Sequence, residues 1–324
     1  MPKLSEPLHV KEYTLRNRLV FPPMQSGRAD FDGSITPKLV NFYVRRSTHI
    51  GLPIVEHAYI DLMGKIGPKQ LGIYADSLIP GYEKLATALH SVGVPAVVQI
   101  SHAGGVANKK VIHNQPAGPS SSGKTRMLEI CELDQICQQF AAAAKRAIDA
   151  GFDGVELHGA HGYLLNQFFS PLLNKRVDKY GGDLQKRMRF PLEVSKTVRH
   201  QIGPNKLLLY RLGSDDLAPY GIHVEDAIVF AQKLVEIGGV DILDVSGGMC
   251  GSNPKQFKHV QGYFIPQAMA IKQKVTVPVI GVGGITEPKY ANTIIQEEKT
   301  DLVAIGRALW KDAQWAQKAL ENLN

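Results

Sequence analysis

The chain has little of what holds a small secreted domain, a metal cluster or a membrane span together. Its 324 residues contain three cysteines, Cys131, Cys137 and Cys250, and no C-x-x-C pair. That argues against a disulfide framework and against a thiolate-based zinc or iron–sulfur site. Reduced thiols in a cytoplasmic protein are the expectation. No run approaches the roughly 18 consecutive apolar residues of a membrane span. The opening MPKLSEPLHVKEY has no apolar core and does not read as a signal peptide. The net charge is +7, but basic residues do not gather beyond pairs such as Lys109-Lys110. This pattern speaks against nucleic-acid binding. A phosphate-bearing ligand would account for part of the charge, and a solvated surface for most of it. No Pro- or Ser-rich linker divides the sequence, so one domain over residues 1–324 is expected.

What is present is an alternation. Short runs rich in Val, Ile and Leu recur at 18–23, 53–60, 95–101, 154–158, 206–212, 240–246, 277–283 and 301–306. Such runs suit strands buried on both faces. Stretches with helical apolar spacing lie between them, among them PGYEKLATALHSVG, LDQICQQFAAAAKRAIDAG and HVEDAIVFAQKLVEIGG, each ending on Gly. Eight strand–helix units predict an α/β fold, a (β/α)8 TIM barrel. An open doubly wound sheet would place a glycine-rich fingerprint after the first strand, and PPMQSG is not one. The connections 102–133 and 159–184, after strands 3 and 4, are too long to be plain links. Both fall on the face where barrels carry their chemistry.

Polar residues collect at the ends of these strands. Strand 1 ends at Pro22, Pro23, Met24 and Gln25, strand 2 carries Glu56 and His57, and strand 3 carries Gln99 and leads to His102. Strand 4 runs into His158, His161 and Tyr163, and strand 5 carries Arg211. Strands 7 and 8 end in GVGGI, with Gly283 and Gly284, and in AIGRAL, with Gly306 and Arg307. Glycine turns there predict a phosphate site, because backbone N–H groups can approach an anion closely and Arg307 adds a forked contact. A cation within strand 5 needs a partner: Asp215, Asp216 or Glu56 could pair with Arg211, or it faces a bound anion. The amide of Gln99 suits a heterocycle edge or buried backbone groups equally. His158 and His161 are three apart, not the four of a helical zinc pair, and lack a third ligand nearby, so no metal is expected. They can instead donate to an oxygen on which charge develops, while Tyr163 can deliver a proton. Satisfied histidines and a packed tyrosine would look the same in composition.

The segment HGAHGYLLNQFFSPLLNKRVDKYGG, together with NRLVFPPM, VVQISHAG, AGFDGVELHGAHGYL and GVGGIT…DLVAIGRAL, resembles the old yellow enzyme family of FMN-dependent ene-reductases over nearly the whole chain. The resemblance implies bound FMN, reduced by NADH or NADPH, and an α,β-unsaturated carbonyl substrate. It places Pro22, Pro23, Met24 and Gln25 along the flavin, Gln99 on its pyrimidine side and Arg211 near N1. Gly283, Gly284, Gly306 and Arg307 correspond to the phosphate grip. His158 and His161 correspond to the pair that holds the substrate oxygen, and Tyr163 to the proton donor.

The chain departs from the family pattern at two places beside the flavin. Gln25 stands where Cys or Thr is usual, and His57 where a small residue is common; its imidazole could bond the cofactor or narrow the pocket. The terminal ALENLN lacks the arginine with which some relatives reach a neighbouring subunit, and the cysteine cluster of the larger dienoyl-CoA reductases is missing, so neither feature is expected. A homo-oligomer is left open. Two other readings stay open here: a flavin-free barrel isomerase or lyase acting on a phosphorylated substrate, and a non-catalytic flavin-binding redox sensor.

Overall fold

The computed structural model describes residues 1–323. Eight parallel strands close into a barrel: β1 (Leu19–Phe21), β2 (Leu52–Tyr59), β3 (Val97–Ser101), β4 (Gly154–Gly159), β5 (Leu207–Gly213), β6 (Ile242–Ser246), β7 (Val279–Gly281) and β8 (Leu302–Ala304). Each pairs with the next in sequence, and β8 pairs with β1. The main helices are α1 (Pro37–Ser47), α2 (Ile79–Ser91), α3 (Ile130–Asp149), α4 (Leu184–Ile202), α5 (Val224–Glu236), α6 (Ile265–Lys272), α7 (Pro288–Gln296) and the short α8 (Arg307–Lys311). The strand–helix alternation read from the sequence therefore closes as a (β/α)8 barrel.

Two cores follow from the strand period of two. Val20, Leu52, Ile54, Val97, Leu207, Leu209, Ile242, Ile280 and Leu302 fill the barrel interior. Val10 and Leu15, from the antiparallel pair Leu8–Val10 and Tyr13–Leu15, join that cluster. The alternate strand residues pack outward against the helices. Helix α3 shows why such a segment is helical. Leu133, Ile136, Cys137, Phe140, Ala144 and Ala147 recur at three or four residues and are buried. A reciprocal capping box of Glu129 and Glu132 satisfies its first turn.

Strands β1, β7 and β8 are shorter than the apolar runs that mark them. Pro22 and Pro23 have no N–H to continue a ladder. Gly283 and Gly284 turn at φ +140° and +65°. Pairing therefore stops early, and these residues turn over the end of the barrel. The two long connections lock together. The buried Arg176 guanidinium in the β4 loop donates to the carbonyls of Pro119 (3.1 Å) and Leu128 (2.6 Å) in the β3 loop. Gln167 donates to Ala103 O and Gly162 O and accepts from Gly105 N–H. No helix is long and apolar enough to cross a membrane among the described residues.

Candidate active site

A cavity of about 440 Å³ opens where the strands end. Its walls come from most of the barrel: Pro22, Pro23, Met24 and Gln25 after β1, His57 from β2, His158, His161 and Tyr163 from β4 and its loop, and Arg211 from β5. Gly284, Gly306 and Arg307 bound the far side. Gln99 and Gly283 do not line this cavity. Gln99 is fully buried in the barrel, and Gly283 lies against the backbone of Tyr263, which a Cβ would approach to 2.6 Å.

The β4 loop owes its shape to an unusual backbone. His161 adopts φ +57°, the left-handed region that costs a side-chain-bearing residue energy. Gly162 follows at +74°, and its N–H is accepted by Asn166 Oδ1 at 2.8 Å. This turn aims both His161 and Tyr163 back toward His158. His161 Nε2 lies 2.8 Å from Ser246 Oγ, and its ring is 5.2 Å from that of His158. The Tyr163 ring stacks on His158 at 4.3 Å.

Burial sets the protonation states. The imidazole of His158 is held well below its ordinary pKa by burial and then by His161, His57 and Arg211. His161 is lowered by burial, Arg211 and His57. His57 falls to about 4 through burial and Arg211. All three are neutral near pH 7 and act as hydrogen-bonding rings, not cations. Burial pushes the Tyr163 phenol above its usual value, so it stays protonated.

Of the two openings left for Arg211, pairing with Asp215, Asp216 or Glu56 does not occur. Glu56 turns away to accept from the Ser26 N–H at 3.0 Å, next to Gln25. Asp215 accepts the N–H of Leu217, and Asp216 accepts from Ser170, Ile222 and Met249. Arg211 instead meets Asp244 of β6, its register partner, with Nε 3.4 Å from Oδ2. That approach is an ion contact without hydrogen-bond geometry, since Arg211 Nε and both Asp244 oxygens have no hydrogen-bond partner. Beside them, Gln99 Nε2 donates to Glu156 Oε1 at 2.9 Å. Glu156 and Asp244 are both fully buried and raised in pKa, Glu156 by burial and then by Asp244, Asp244 by burial against the opposing pull of Arg211. Both acids were visible as charges inside apolar runs, GVELH and VDILDVS, at the same strand parity as Arg211. The sequence reading passed over them.

Other residues it missed line the cavity: Ser252, Asn253, Tyr263, Val282, Ile285, Ala304 and Trp310. Asn253 Oδ1 accepts from Arg307 Nη1 at 3.0 Å and holds that side chain in place.

The site fits a flavin mononucleotide on two structural observations. Arg211 Nε, from the cavity wall, and Gln99 Oε1, buried in the barrel, are polar atoms without hydrogen-bond partners. At the opposite end, a Cβ on Gly284 would reach within 2.8 Å of Arg307 Nη2, and one on Gly306 within 2.9 Å of Met24 Sδ. A side chain at either position would have to displace a neighbour, so glycine favours the close approach of a phosphate there. No cluster of three metal-ligating side chains occurs among the described residues.

The model of the NADH:flavin oxidoreductase / NADH oxidase family matches residues 3–324. The NADH oxidase of Thermoanaerobacter brockii is 40% identical over 332 residues, which cover 99% of this chain and 51% of that protein. The NADPH dehydrogenase of a Geobacillus species (strain WCH70) is 33% identical, covering 99% of this chain and 94% of the relative. The structure of an old yellow enzyme homologue from Zymomonas mobilis superposes with a TM-score of 0.88 at 25% identity, covering all of this chain and 94% of the other. The chain spans about half the length of the Thermoanaerobacter relative.

Proposed function

The chain belongs to the NADH:flavin oxidoreductase / NADH oxidase family, and from that premise we propose that it is an FMN-dependent NAD(P)H oxidoreductase reducing the C=C bond of α,β-unsaturated carbonyl compounds. The observation that carries this reading is the convergence of His158, His161 and Tyr163 on one cavity whose other end is a glycine cradle beside Arg307. The names of the relatives include both nicotinamides, so the choice between NADH and NADPH is left to measurement.

Bound FMN supplies hydride exchange with the nicotinamide and with the substrate. The protein supplies the rest. His158 and His161 donate to the carbonyl oxygen and draw electron density from the β-carbon, as donors aimed at developing charge do. Because both rings are neutral, they polarise without giving up a proton. Tyr163 then donates its phenolic proton to the α-carbon, a role that requires the phenol to be protonated beforehand. Its raised pKa ensures this. One hydride and one proton are added in total, which saturates the double bond. Arg211 brings positive charge to the cavity floor, and Asp244 holds part of that charge back.

The test is a purified holoprotein assayed anaerobically with an enone panel and both nicotinamides. Yellow protein with enone-dependent NAD(P)H oxidation is the expected result. A colourless chain that does not take up FMN refutes the cofactor reading and returns the flavin-free barrel enzyme to consideration. A yellow chain that leaves every enone untouched points to the non-catalytic flavin-binding protein.

A further inference from the structure

The barrel interior carries charge next to the cavity. Strand residues two apart share a face, so the parity that turns Val97, Leu209 and Ile242 into the barrel also turns Gln99, Arg211 and Asp244 inward. Glu156 shares the face of β4 that carries His158, one step deeper in the barrel. Register sets Glu156 opposite Gln99, and Arg211 between His158 and Asp244. The four polar side chains thus span the neighbouring strands β3, β4, β5 and β6. Arg211 lines the cavity, whereas Gln99, Glu156 and Asp244 do not, and all three are fully buried.

This group holds one fixed cation and two carboxyl groups. With both acids ionised, one negative charge would be in excess where no water reaches it, which is costly. The neighbouring elements offer nothing to balance it. Strand β2 carries an extra residue between the pairs Val55↔Val98 and Ala58↔Ile100, and Glu56 at that bulge is turned away to the Ser26 N–H. His57 on β2 and His158 on β4 are neutral. Strands β1, β7 and β8 bring only apolar residues and glycine. One of the two acids therefore keeps its proton.

Geometry selects which. Asp244 Oδ2 lies 3.4 Å from Arg211 Nε, its counter-charge. Glu156 has only a neutral partner: its Oε1 accepts from Gln99 Nε2 at 2.9 Å, and its Oε2 has no partner. The proton belongs on that free oxygen. Acceptors without partners, Gln99 Oε1 and both Asp244 oxygens, stand in the same group. Burial and then the charge of Asp244 push the Glu156 carboxyl well above its ordinary pKa, against the weaker pull of Arg211 and Gln99.

We propose that Glu156 is a neutral, proton-bearing positioning residue inside the barrel, which leaves Asp244 as the single counter-charge of Arg211 and keeps a second negative charge away from the bound flavin. Its effect on the flavin rests on the FMN reading above; the proton itself does not. An ionised Glu156 would cancel the positive charge that Arg211 presents to the cavity and would oppose the gain of electrons there.

Two measurements test this. Infrared spectra of the protein at neutral pH, with and without isotope-labelled glutamate, should show a protonated-carboxyl band that moves with the label. The Glu156 component should vanish in Glu156→Gln and survive in Glu56→Gln, the other buried glutamate with a raised pKa. The second readout is the midpoint potential of bound FMN. Glu156→Gln copies a neutral acid and keeps an oxygen for Gln99, so the potential should stay nearly unchanged. Asp244→Asn removes a real negative charge and should favour binding of reduced over oxidised FMN by on the order of tenfold. A glutamate band missing from the parent, a band untouched by Glu156→Gln, or a potential raised equally by both substitutions would each overturn the proposal. Should Glu156→Gln fail to fold, survival of the labelled band in Glu56→Gln supports the assignment and its loss overturns it. A chain that takes up no FMN strikes the cofactor reading instead, because the infrared result concerns the polypeptide alone.

Discussion

The phenol ring of Tyr163 lies stacked on the imidazole of His158, centroid to centroid 4.3 Å, with 27° between their planes. The proposed proton donor and one of the two rings proposed to hold the substrate oxygen are therefore packed as a unit. Tyr163→Phe keeps that packing and removes only the hydroxyl. Loss of a general acid typically costs 100- to 10,000-fold, so enone reduction should slow by about that factor. Flavin reduction by NAD(P)H should be nearly intact in rapid-mixing measurements. Equal loss in the two half-reactions would remove Tyr163 from its assigned role.

Arg211 and Asp244 should behave as a pair. Arg211→Met leaves Asp244 buried without its counter-charge, a change that typically destabilises by about 3–5 kcal/mol. FMN retention should fall as well, because a cation at the cavity floor is lost. Adding Asp244→Asn should recover much of the stability without restoring FMN retention. Urea unfolding of the two single variants and the double variant checks this; additive losses would mean that the pair is not coupled.

The pH dependence of folding should carry the signature of His57. Its pKa is lowered to about 4 in the folded protein, against about 6.5 in an unfolded chain. Between those values the unfolded chain binds more protons, so stability is lost as pH falls from 6.5 toward 4. In His57→Gln that contribution is absent. The slope of unfolding free energy against pH should then be shallower within this window by up to about 1.4 kcal/mol per pH unit. Parallel curves for the two proteins would contradict a buried neutral imidazole.

Gly284→Ala should weaken FMN retention at least tenfold, on the order of one lost charge-assisted contact. The added methyl would stand 2.8 Å from Arg307 Nη2, at a backbone angle of +65° that alanine tolerates poorly. Equilibrium dialysis of FMN is the measurement. Retention equal to the parent would move the phosphate away from this cradle.

Much of this protein was legible before folding because the signals were local. Each apolar run marks its own strand, and a period of two decides which residues face inward. The polar residue at a strand end is placed on the cavity face by that strand alone. His158, Arg211, Gly284 and Gly306 could therefore be singled out one at a time, and their common cavity follows once eight strands close.

Tertiary structure decided the pairings between strands. Asp244, thirty-odd residues beyond Arg211, became its partner through barrel register, while the nearer Asp215 and Asp216 were taken up by loop backbone. Ser246 met His161 because the loop after β4 turns back over the strand ends. The extra residue in β2 cannot be seen in PIVEHAYI itself, because a bulge exists only relative to the neighbouring strand. Nor does the spacing of His57 and Gln70 foretell that the Gln70 amide nitrogen would lie 3.0 Å from His57 Nδ1. Local sequence sets which groups are available at the barrel mouth, and the closed ladder of hydrogen bonds sets which of them meet.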